Sequence, residues 1–363
     1  MKKITVPLKK RIDYSYAISY STDYISELVA DIKNNKWGKR YAVISDSKVK
    51  KLYGEKLVKK LKRSGINAEL LSFPFGEKNK TLDQAEKLIH QLSKLEFHRD
   101  DCVIALGGGV TGDLAGFVAS IYMRGIPYIQ IPTTLLSMVD SSVGGKTGVD
   151  SSWGKNLIGT FYQPKKVYID TVFLKTLPKK QLRNGIAEVI KYGVIKAPSI
   201  LRALYKKHEK VMGLDERILK RIIMRCIKIK ADIVGKDERE TGIRKILNYG
   251  HTVGHAIEKI SKFKVQHGEG VSLGMAVINT IATDKKMFAK KKQLYIKNIF
   301  KLYNLPTKFP KPIDPNRLIN IMKQDKKAKK GKNYFIVPQK LGKVFLSGKI
   351  TNRDIIKACK KHS

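Results

Sequence analysis

Short apolar runs alternate with helical patterns in the first half of the chain, as expected for strands and helices packed in layers. Buried strands are predicted at Tyr41–Ser45, Cys102–Leu106 and Tyr128–Ile131. Between the first two strands, Thr81 predicts the start of a helix with Gln84 as its capping-box partner, and apolar residues follow at helical spacing. Together these elements predict an α/β domain of the nucleotide-binding kind.

Helical patterns dominate the second half of the chain, where the strand signal fades from about residue 178 onward. Four helices are predicted there, at Gln181–Val194, Asp215–Val234, Gly250–Ser261 and Gly270–Phe288. A length of 363 residues is also long for one core and favours two domains. We therefore predict an α/β domain over residues 1–178 and a mainly α-helical domain over residues 179–363.

Composition is that of a soluble globular protein, with 42% hydrophobic and 29% charged residues. No apolar run reaches the roughly 18 residues needed to span a membrane, and the basic N-terminus lacks the apolar segment of a signal peptide. The three cysteines, Cys102, Cys226 and Cys359, are too few and too widely spaced for a disulfide framework or a cysteine zinc site. We therefore predict a cytoplasmic protein that has no membrane partner.

The formal net charge of +42 raises the question of nucleic-acid binding. The positive charges are spread along the whole chain, as 59 lysines and only 14 arginines. Proteins that read bases or phosphates rely on the bidentate arginine fork. We therefore predict a basic solvated surface and no specific nucleic-acid partner.

A glycine-rich segment follows the predicted strand at Cys102–Leu106 and fits the pattern G-x-G-x-x-G through Gly107, Gly109 and Gly112. Such glycines let the backbone approach a pyrophosphate at a helix N-terminus. The acidic residue expected about 20 positions later is missing, although Asp46 at the end of the earlier strand is a candidate to hold a ribose. A glycine-rich turn without a ligand is the alternative.

A second candidate is the segment from Asp140 to Gly148, which contains Gly-Lys-Thr at positions 145–147. A P-loop is excluded because Asp140 stands where that motif requires glycine. What remains is a flexible polar loop with a carboxylate and the ammonium of Lys146, and Lys155 and Asn156 add donors for phosphate oxygens. The alternative for each lysine is a solvated surface charge.

Histidines and one glutamate predict a metal site. His251 and His255 are four residues apart and share a helix face, and His267 follows before a Gly-Glu-Gly. Glu188 supplies a carboxylate, which together with two histidines forms a three-ligand zinc site with an open fourth position. A zinc protease is excluded because glutamate does not follow the first histidine. The alternative is a set of capping or core histidines.

Two cations in the second half suggest an acidic ligand. Lys230 falls within the apolar stripe of its predicted helix, so it requires an anionic partner or a side chain that reaches out to water. Arg244 precedes the histidine helix and is a candidate to meet a ligand carboxylate, with an ion pair to Glu238 or Glu240 as the alternative. A nucleotide loop, a zinc site and these cations together predict redox chemistry on a phosphorylated, hydroxylated metabolite.

With these motifs, the chain resembles the bacterial 3-dehydroquinate synthases, a family of sugar-phosphate cyclases, over nearly its whole length. The segments that carry the resemblance are Gly107–Asp113, Ile131–Asp150, Lys155–Asn156, Ala187–Gly193, Gly242–Glu258 and His267–Gly274.

The resemblance implies that 3-deoxy-D-arabino-heptulosonate 7-phosphate is converted to 3-dehydroquinate and phosphate, a step of the shikimate pathway toward chorismate and the aromatic amino acids. The implied steps are transient oxidation by NAD, phosphate elimination, reduction, ring opening and intramolecular aldol closure. The alternatives are a sibling cyclase acting on another sugar phosphate, a dehydrogenase like glycerol dehydrogenase, and a basic RNA-associated protein.

The resemblance also implies a role for each site residue. Zinc, or cobalt in its place, is held by Glu188, His251 and His267, which moves His255 to the substrate side. The implied fold is an α/β nucleotide-binding domain followed by a mainly α-helical metal-binding domain. NAD is implied to contact Asp46, Phe75, Gly76, Glu77, Lys78, Asn79, Lys80, Gly109, Val110, Thr111, Gly112, Asp113, Thr133, Thr134, Lys146, Lys155, Phe173, Leu174, Lys175 and Thr176.

The remaining implied contacts are to the substrate. Lys146, Lys155 and Asn156 hold its phosphate, joined by Lys326 or Lys327 and by Arg124 from the partner subunit of a homodimer. Arg244 and Lys230 hold its carboxylate. The groups implied to orient its hydroxyls around the metal are Asp140, Lys191, Asn248 and His255.

Overall fold

A computed structural model describes residues 13–323 and 334–362. Lys326 and Lys327 lie outside the described residues, so the phosphate contact expected of them stays a prediction.

A parallel sheet of six strands forms the first half of the molecule, and its strands are β1 Ala17–Tyr20, β2 Tyr41–Asp46, β3 Ala68–Phe73, β4 Cys102–Gly107, β5 Tyr128–Pro132 and β8 Lys166–Ile169. An antiparallel hairpin of β6 Lys146–Ser151 and β7 Gly154–Phe161 lies between β5 and β8 in the chain. The order of the strands across the sheet is β1-β8-β5-β4-β2-β3. The three predicted strands are confirmed as β2, β4 and β5, each buried throughout. The edge strands β1 and β3 were not predicted because they are only partly buried and lack a continuous apolar run.

The strand order brings two predicted nucleotide residues together. Strand β3 pairs with one side of β2 and β4 with the other, so the chain reverses its direction of winding between β2 and β4. In sheets of this type, the crevice at the carboxyl ends of such strands is where ligands bind. Asp46 ends β2 and Gly107 ends β4, so both border this crevice.

Helices cover the sheet and form the second half of the molecule. The helices around the sheet are α1 Tyr24–Asn35, α2 Ser47–Val49, α3 Glu55–Arg63, α4 Leu82–Lys94 and α5 Gly109–Ile121. The helices that follow are α6 Lys179–Ile195, α7 Pro198–Lys206, α8 His208–Met212, α9 Glu216–Lys236, α10 His251–Ile260, α11 His267–Asp284, α12 Lys290–Leu302, α13 Pro315–Lys323 and α14 Asn352–His362. The predicted start of α4 is confirmed, since the Gln84 N–H donates to Thr81 Oγ1 at 3.2 Å.

Two features of the second half were not predicted. An antiparallel hairpin of β9 Phe335–Lys340 and β10 Lys343–Ser347 lies within the mainly helical half, and its strands are too short to give a clear pattern in the sequence. Helix α11 begins at His267, earlier than Gly270, because Gln266 and Glu269 form a capping box.

Buried apolar residues continue from the sheet into the helical half. On β2, Val43 belongs to a cluster that also includes Met138, Ile186 and Val253, whereas Ile44 faces a separate cluster on the other side of the sheet. The larger cluster does not break near residue 178, so the domain boundary proposed there stays a prediction. Within the described residues, no helix is long and apolar enough to cross a membrane.

Helices α10 and α11 approach each other backbone to backbone. A Cβ at Gly274 would lie 1.9 Å from the Gly250 carbonyl oxygen, and one at Gly254 would lie 2.8 Å from that of Gly270. Gly250 itself has a φ of 80°, a conformation that other residues rarely adopt. Glycine is therefore required at this crossing, which sets the distance between the two helix N-termini.

We expect Gly274→Ala to lower the free energy of unfolding by about 2 kcal/mol or more, because the added methyl group must push α10 and α11 apart. Gly235→Ala on α9 is the matched control, since a Cβ there meets nothing within 4 Å. That control should be neutral or stabilising by up to about 1 kcal/mol. Denaturant unfolding measures both, and equal stabilities of the two variants would contradict the role assigned to the crossing.

Candidate active site

Three predicted metal ligands come together at the α10–α11 crossing. His251 and His267 are the first residues of α10 and α11, and Glu188 lies inside α6 with no exposed surface. The Nε2 atoms of His251 and His267 lie 3.4 and 3.3 Å from Glu188 Oε1. One donor atom from each residue lies within 4.8 Å of the others, which is the spacing a single ion requires.

The surroundings of Glu188 fit a bound cation. Both of its carboxylate oxygens are buried and accept no hydrogen bond from the described residues, although the Lys191 ammonium lies in ion-pair contact. Such a carboxylate next to two imidazole nitrogens is the donor set of a catalytic zinc site. His251 Nδ1 lies 3.1 Å from the Tyr249 carbonyl oxygen. A proton on Nδ1 would donate to that carbonyl and leave Nε2 facing Glu188.

His267 lies between two carboxylates. Its Nδ1 is 3.0 Å from Glu258 Oε1, and its Nε2 faces Glu188. Burial lowers the pKa of His267, but the carboxylates of Glu188 and Glu258 outweigh burial and raise it to about 10. Positive charge is therefore favoured at this point, as expected where a metal cation binds.

His255 is exposed one turn further along α10. Its ring centroid lies 5.3 Å from that of His251 and 5.8 Å from that of His267. It belongs to a second group of possible ligands, with Glu258 and His267, and does not face Glu188. This placement is compatible with the substrate-side role inferred from the resemblance.

Asp140 is the centre of a second cluster beside the metal ligands. Its carboxylate accepts from Lys191 Nζ at 3.0 Å, from the Tyr192 hydroxyl at 3.2 Å and from Lys230 Nζ. Burial raises the pKa of Asp140, but Lys191 and Lys230 outweigh it and hold that pKa well below its usual value. Burial lowers the pKa of Lys230 despite its contact with Asp140. The anionic partner that Lys230 required is therefore a residue of the protein.

The segment from Asp140 to Gly148 is more ordered than the flexible loop that was predicted. Asp140 lies in a π-helical turn, Ser137–Ser141, and Lys146 begins strand β6. This turn packs against α5, α6 and α9, so Asp140 is positioned by helices of both halves.

Arg244 is 2% exposed, and its guanidinium donates to the Glu238 and Gly144 carbonyl oxygens. These two contacts are to backbone carbonyl oxygens, and the alternative of an ion pair between Arg244 and Glu238 or Glu240 stays a prediction. Glu240 accepts from Lys146 Nζ and Asn248 Nδ2. Glu240 therefore joins two predicted catalytic residues, a role that the sequence did not reveal.

The glycine-rich segment borders the crevice at the ends of β2 and β4. Helix α5 begins at Gly109, as predicted, and a Cβ at Gly107 would lie 2.3 Å from Thr111 Oγ1. Asp46 Oδ1 caps α2 by accepting from the Lys48 and Val49 N–H groups, and its Oδ2 lies 3.5 Å from Thr111 Oγ1. The residues expected to hold a ribose and a pyrophosphate are thus close together.

Lys80 is the centre of an ion-pair network in this crevice and is 3% exposed. It donates to Asp113 Oδ2 at 3.2 Å and to Asn156 Oδ1 at 2.7 Å, and it lies 3.5 Å from Asp150 Oδ1. Burial lowers the pKa of Lys80, but these acids outweigh burial and raise it. The network therefore links a predicted NAD residue to a predicted phosphate residue, and Asp150 is a member that the sequence did not reveal.

The other predicted NAD residues lie around the same edge of the sheet. Thr133 and Thr134 follow β5, and the Thr133 N–H donates to the Gly107 carbonyl oxygen at 2.9 Å. Phe75 is exposed beside Lys48, whose ammonium lies 4.0 Å from the ring centroid. The residues that follow Phe75, Gly76 to Lys80, include a short 3-10 helix at Glu77–Asn79 that contains Lys78.

The segment Phe173–Thr176 differs from the others because two of its side chains are in the core. Phe173 and Leu174 are each 1% exposed, and Phe173 packs on Tyr24 with ring centroids 4.9 Å apart. All four residues lie in the 3-10 helix Thr171–Thr176, and the Thr176 hydroxyl is hydrogen-bonded to that of Tyr53. Contact with a cofactor would come from the backbone or from Lys175 and Thr176.

Arg124 lies in an exposed turn directly after α5. Within the described part of the chain, no hydrogen bond or ion pair joins it to Lys146, Lys155 or Asn156. This is compatible with the expectation that it acts on a neighbouring subunit, and that expectation stays a prediction.

Comparison with solved structures defines the class of the protein. Over 98% of both chains it resembles ValA, a 2-epi-5-epi-valiolone synthase from Streptomyces hygroscopicus with NAD+ and Zn2+ bound, with a TM-score of 0.89 and 25% identity. An iron-containing alcohol dehydrogenase shares the fold, with a TM-score of 0.66 and 15% identity over 96% of this chain and 97% of the other. The fold is therefore the two-domain fold of sugar-phosphate cyclases and iron-containing dehydrogenases.

Sequence comparison narrows the class to one family. The 3-dehydroquinate synthase N-terminal model matches residues 70–184, and the C-terminal model matches residues 185–328. A 3-dehydroquinate synthase of Desulforamulus reducens is 43% identical over 98% of this chain and 99% of its own. That of Thermodesulfovibrio yellowstonii is 42% identical over 98% and 99%. The chain belongs to the 3-dehydroquinate synthase family.

We expect the purified protein to bind about one zinc ion per chain and the variants Glu188→Ala and His251→Ala to lose it, because each removes one of three ligands. The measurement is zinc content after dialysis, read together with circular dichroism to confirm the fold. His90→Ala is the matched control, since this histidine is exposed on α4, and it should retain the metal. Retention of zinc by the Glu188 variant would contradict the assigned ligand set.

Proposed function

We propose that the protein catalyses the reaction of its family: conversion of 3-deoxy-D-arabino-heptulosonate 7-phosphate to 3-dehydroquinate and phosphate, as a phosphate-eliminating carbon–oxygen lyase of the shikimate pathway. The observation that carries the proposal is the convergence of Glu188, His251 and His267 beside a crevice bordered by cations of both halves. The zinc and NAD named for the structural relative support the same two cofactors here, with cobalt as an alternative metal.

The cofactors supply the chemistry that side chains cannot. Bound zinc acidifies a substrate hydroxyl, while NAD accepts and later returns a hydride, so that the cycle has no net redox change. Glu188, His251 and His267 would hold the metal, and the edge of the sheet between Asp46 and Gly109 would hold the dinucleotide.

Arg244 and Lys230 would bind the substrate carboxylate. The guanidinium of Arg244 is fixed by two backbone carbonyl oxygens. Lys230 is buried and held by Asp140. A substrate carboxylate would add a charged partner for these two buried cations, whereas a sugar phosphate without a carboxyl group would not use them. This favours the acidic substrate over those of sibling cyclases.

Lys146, Lys155 and Asn156 would bind the phosphate. In the described arrangement Lys146 pairs with Glu240, and Lys155 pairs with Glu77 at 3.2 Å and with Glu258 at 3.5 Å. These carboxylates hold the ammonium groups in place until a phosphate replaces some of the contacts. The amide oxygen of Asn156 accepts from Lys80, so its N–H groups remain to donate to phosphate oxygens.

Asp140, Lys191, Asn248 and His255 would orient the hydroxyls and move protons. Lys191 is fully buried between Asp140 and Glu188, and this arrangement fixes its ammonium beside the metal position. His255 is exposed within reach of the two histidine ligands, and it would exchange a proton between substrate and water. Phosphate elimination needs a proton removed from the carbon next to the newly formed ketone, and the substrate's own phosphate would take part in this transfer by accepting that proton as it leaves.

A homodimer and a cytoplasmic setting complete the proposal. Large apolar side chains are exposed at the end of α5 and on the β6–β7 hairpin, namely Ile121, Met123, Trp153, Leu157 and Phe161. The two elements are joined by a 2.8 Å hydrogen bond from Thr160 to Ser120. Exposed apolar surface of this kind is typical of an interface, and Arg124 lies at its margin. The thiols of Cys102, Cys226 and Cys359 are buried and form no disulfide among the described residues, as expected in a reducing compartment.

The first test is phosphate release from 3-deoxy-D-arabino-heptulosonate 7-phosphate, with and without NAD, and after chelation followed by zinc. We expect zinc-dependent release without accumulation of NADH, since the hydride is returned within each turnover. Mass spectrometry of the product identifies 3-dehydroquinate. Accumulation of NADH would indicate a plain dehydrogenase, and activity only on sugar phosphates that lack a carboxyl group would indicate a sibling cyclase.

A second test asks whether Arg124 acts on the partner subunit. We expect Arg124→Ala and Lys146→Ala each to be inactive alone, and their co-expressed mixture to regain about a quarter of the parental activity. Half of the randomly mixed dimers have one intact site out of two. Arg99→Ala, a change of another exposed arginine, is the control and should be fully active alone. An inactive mixture that contains dimers of both chains would contradict the shared site.

A further inference from the structure

Glu258 lies two helical turns after His251 on α10 and faces the metal site from the side opposite Glu188. It is 2% exposed, and its Oε1 lies 3.0 Å from His267 Nδ1. A carboxylate buried this deeply requires partners that compensate its charge. Two of its partners among the described residues are His267 and Lys155.

The contact with His267 determines which ring nitrogen can bind a metal. With a metal bound, a proton on Nδ1 would donate to Glu258 and leave for the metal the lone pair of Nε2, which lies 3.3 Å from Glu188 Oε1. A carboxylate in this position fixes the ring orientation and increases the basicity of the ligating nitrogen. The other histidine ligand, His251, has a neutral backbone carbonyl in the equivalent position, so only His267 has a charged acceptor.

The second oxygen of Glu258 faces the other half of the molecule. Oε2 lies 3.5 Å from Nζ of Lys155, which extends from strand β7. The same ammonium lies 3.2 Å from Glu77 and 4.4 Å from the ring centroid of Phe263. Glu258 therefore connects a metal ligand on α11 with a phosphate-binding lysine on the α/β half through a single side chain.

The backbone of α11 is shaped to admit this side chain. A Cβ at Gly270 would lie 3.0 Å from Glu258 Cγ and 3.3 Å from Oε1, so any larger residue would crowd the carboxylate. Gly270 is the second glycine of the Gly-Glu-Gly that follows His267. The absence of a side chain at Gly270 thus leaves the space in which the Glu258 side chain of α10 contacts His267, the first residue of α11.

We propose that Glu258 is a positioning residue that acts in two directions: it orients His267 toward the metal, and it holds Lys155 where the substrate phosphate binds. The proposal rests on the function proposed above. It predicts that loss of the carboxylate weakens metal binding and phosphate binding together, although Glu258 contacts neither the metal position nor the substrate.

The test compares Glu258→Ala and Glu258→Gln with the parent protein, using zinc affinity from competition with a chromophoric chelator. We expect zinc affinity to fall about 10- to 100-fold in Glu258→Ala. A smaller loss is expected in Glu258→Gln, because the amide oxygen still accepts from His267 but has no charge. With saturating zinc, both variants should show a raised KM for the phosphorylated substrate, because Lys155 has lost one of its carboxylate partners.

Asp101→Asn is the matched control, because Asp101 is also a buried carboxylate, with 3% exposure. It accepts hydrogen bonds from the backbone N–H groups of Arg40 and His98, and it lies just before the start of β4, whereas the candidate site is at the end of that strand. Asp101→Asn should leave zinc affinity unchanged. If the folded Glu258 variants bind zinc with the affinity of the parent, the proposal is overturned. If Glu258→Ala does not fold, the zinc affinity of Glu258→Gln alone decides the outcome. Two zinc ions per chain in the parent and one in the variants would also overturn it, since His255, Glu258 and His267 would then be ligands. A parent that binds no zinc would instead refute the proposed function.

Discussion

The close crossing of α10 and α11 is the constraint on which the candidate site depends. Both helices begin with a histidine, and the two imidazoles can face one carboxylate only if the helix backbones nearly touch. Gly250, Gly254, Gly270 and Gly274 provide this contact. Side chains of ordinary size would move the helices apart by several ångströms, a displacement larger than the tolerance of a metal site. The metal geometry is therefore determined by residues that bind no metal.

Charge compensation is the second feature of the site. The chain has 73 basic and 31 acidic residues, yet each buried lysine of the site has a carboxylate partner. Buried cations without partners would be strongly destabilising, and a carboxylate beside each lysine favours its charged form. An arriving phosphate or carboxylate thus meets ammonium groups that are already desolvated and oriented, so little reorganisation is needed for binding.

The sequence was most informative where chemistry requires a short, regular spacing. The glycine segment and the fully buried strands β2, β4 and β5 could be predicted, because each depends on a local pattern. The candidate ligand set of Glu188, His251 and His267 came from the resemblance, and the structure brings these three residues together. The strands of the β9–β10 hairpin are too short to show a clear pattern. The edge strands β1 and β3 could not be predicted, since their stability comes from pairing with distant segments. Glu240 and Glu258 were missed for a similar reason. Each is one acid among 31 until the fold brings it next to a distant lysine or histidine.

The two halves of the molecule meet in two different ways, and this suggests how the site can admit its ligands. Behind the site, apolar side chains of the π-helical turn, such as Met138 and Val139, pack with Ile186 of α6 in one continuous cluster. In front of it, the halves are joined by ion pairs, Lys146 with Glu240 and Lys155 with Glu258. Separating the apolar contact would expose hydrocarbon to water, whereas an ion pair can exchange its partner for water or for a ligand anion at little net cost. The two halves therefore separate more easily at the front of the site. The lysines of the ion pairs that must break there, Lys146 and Lys155, are the same groups that would bind a phosphate.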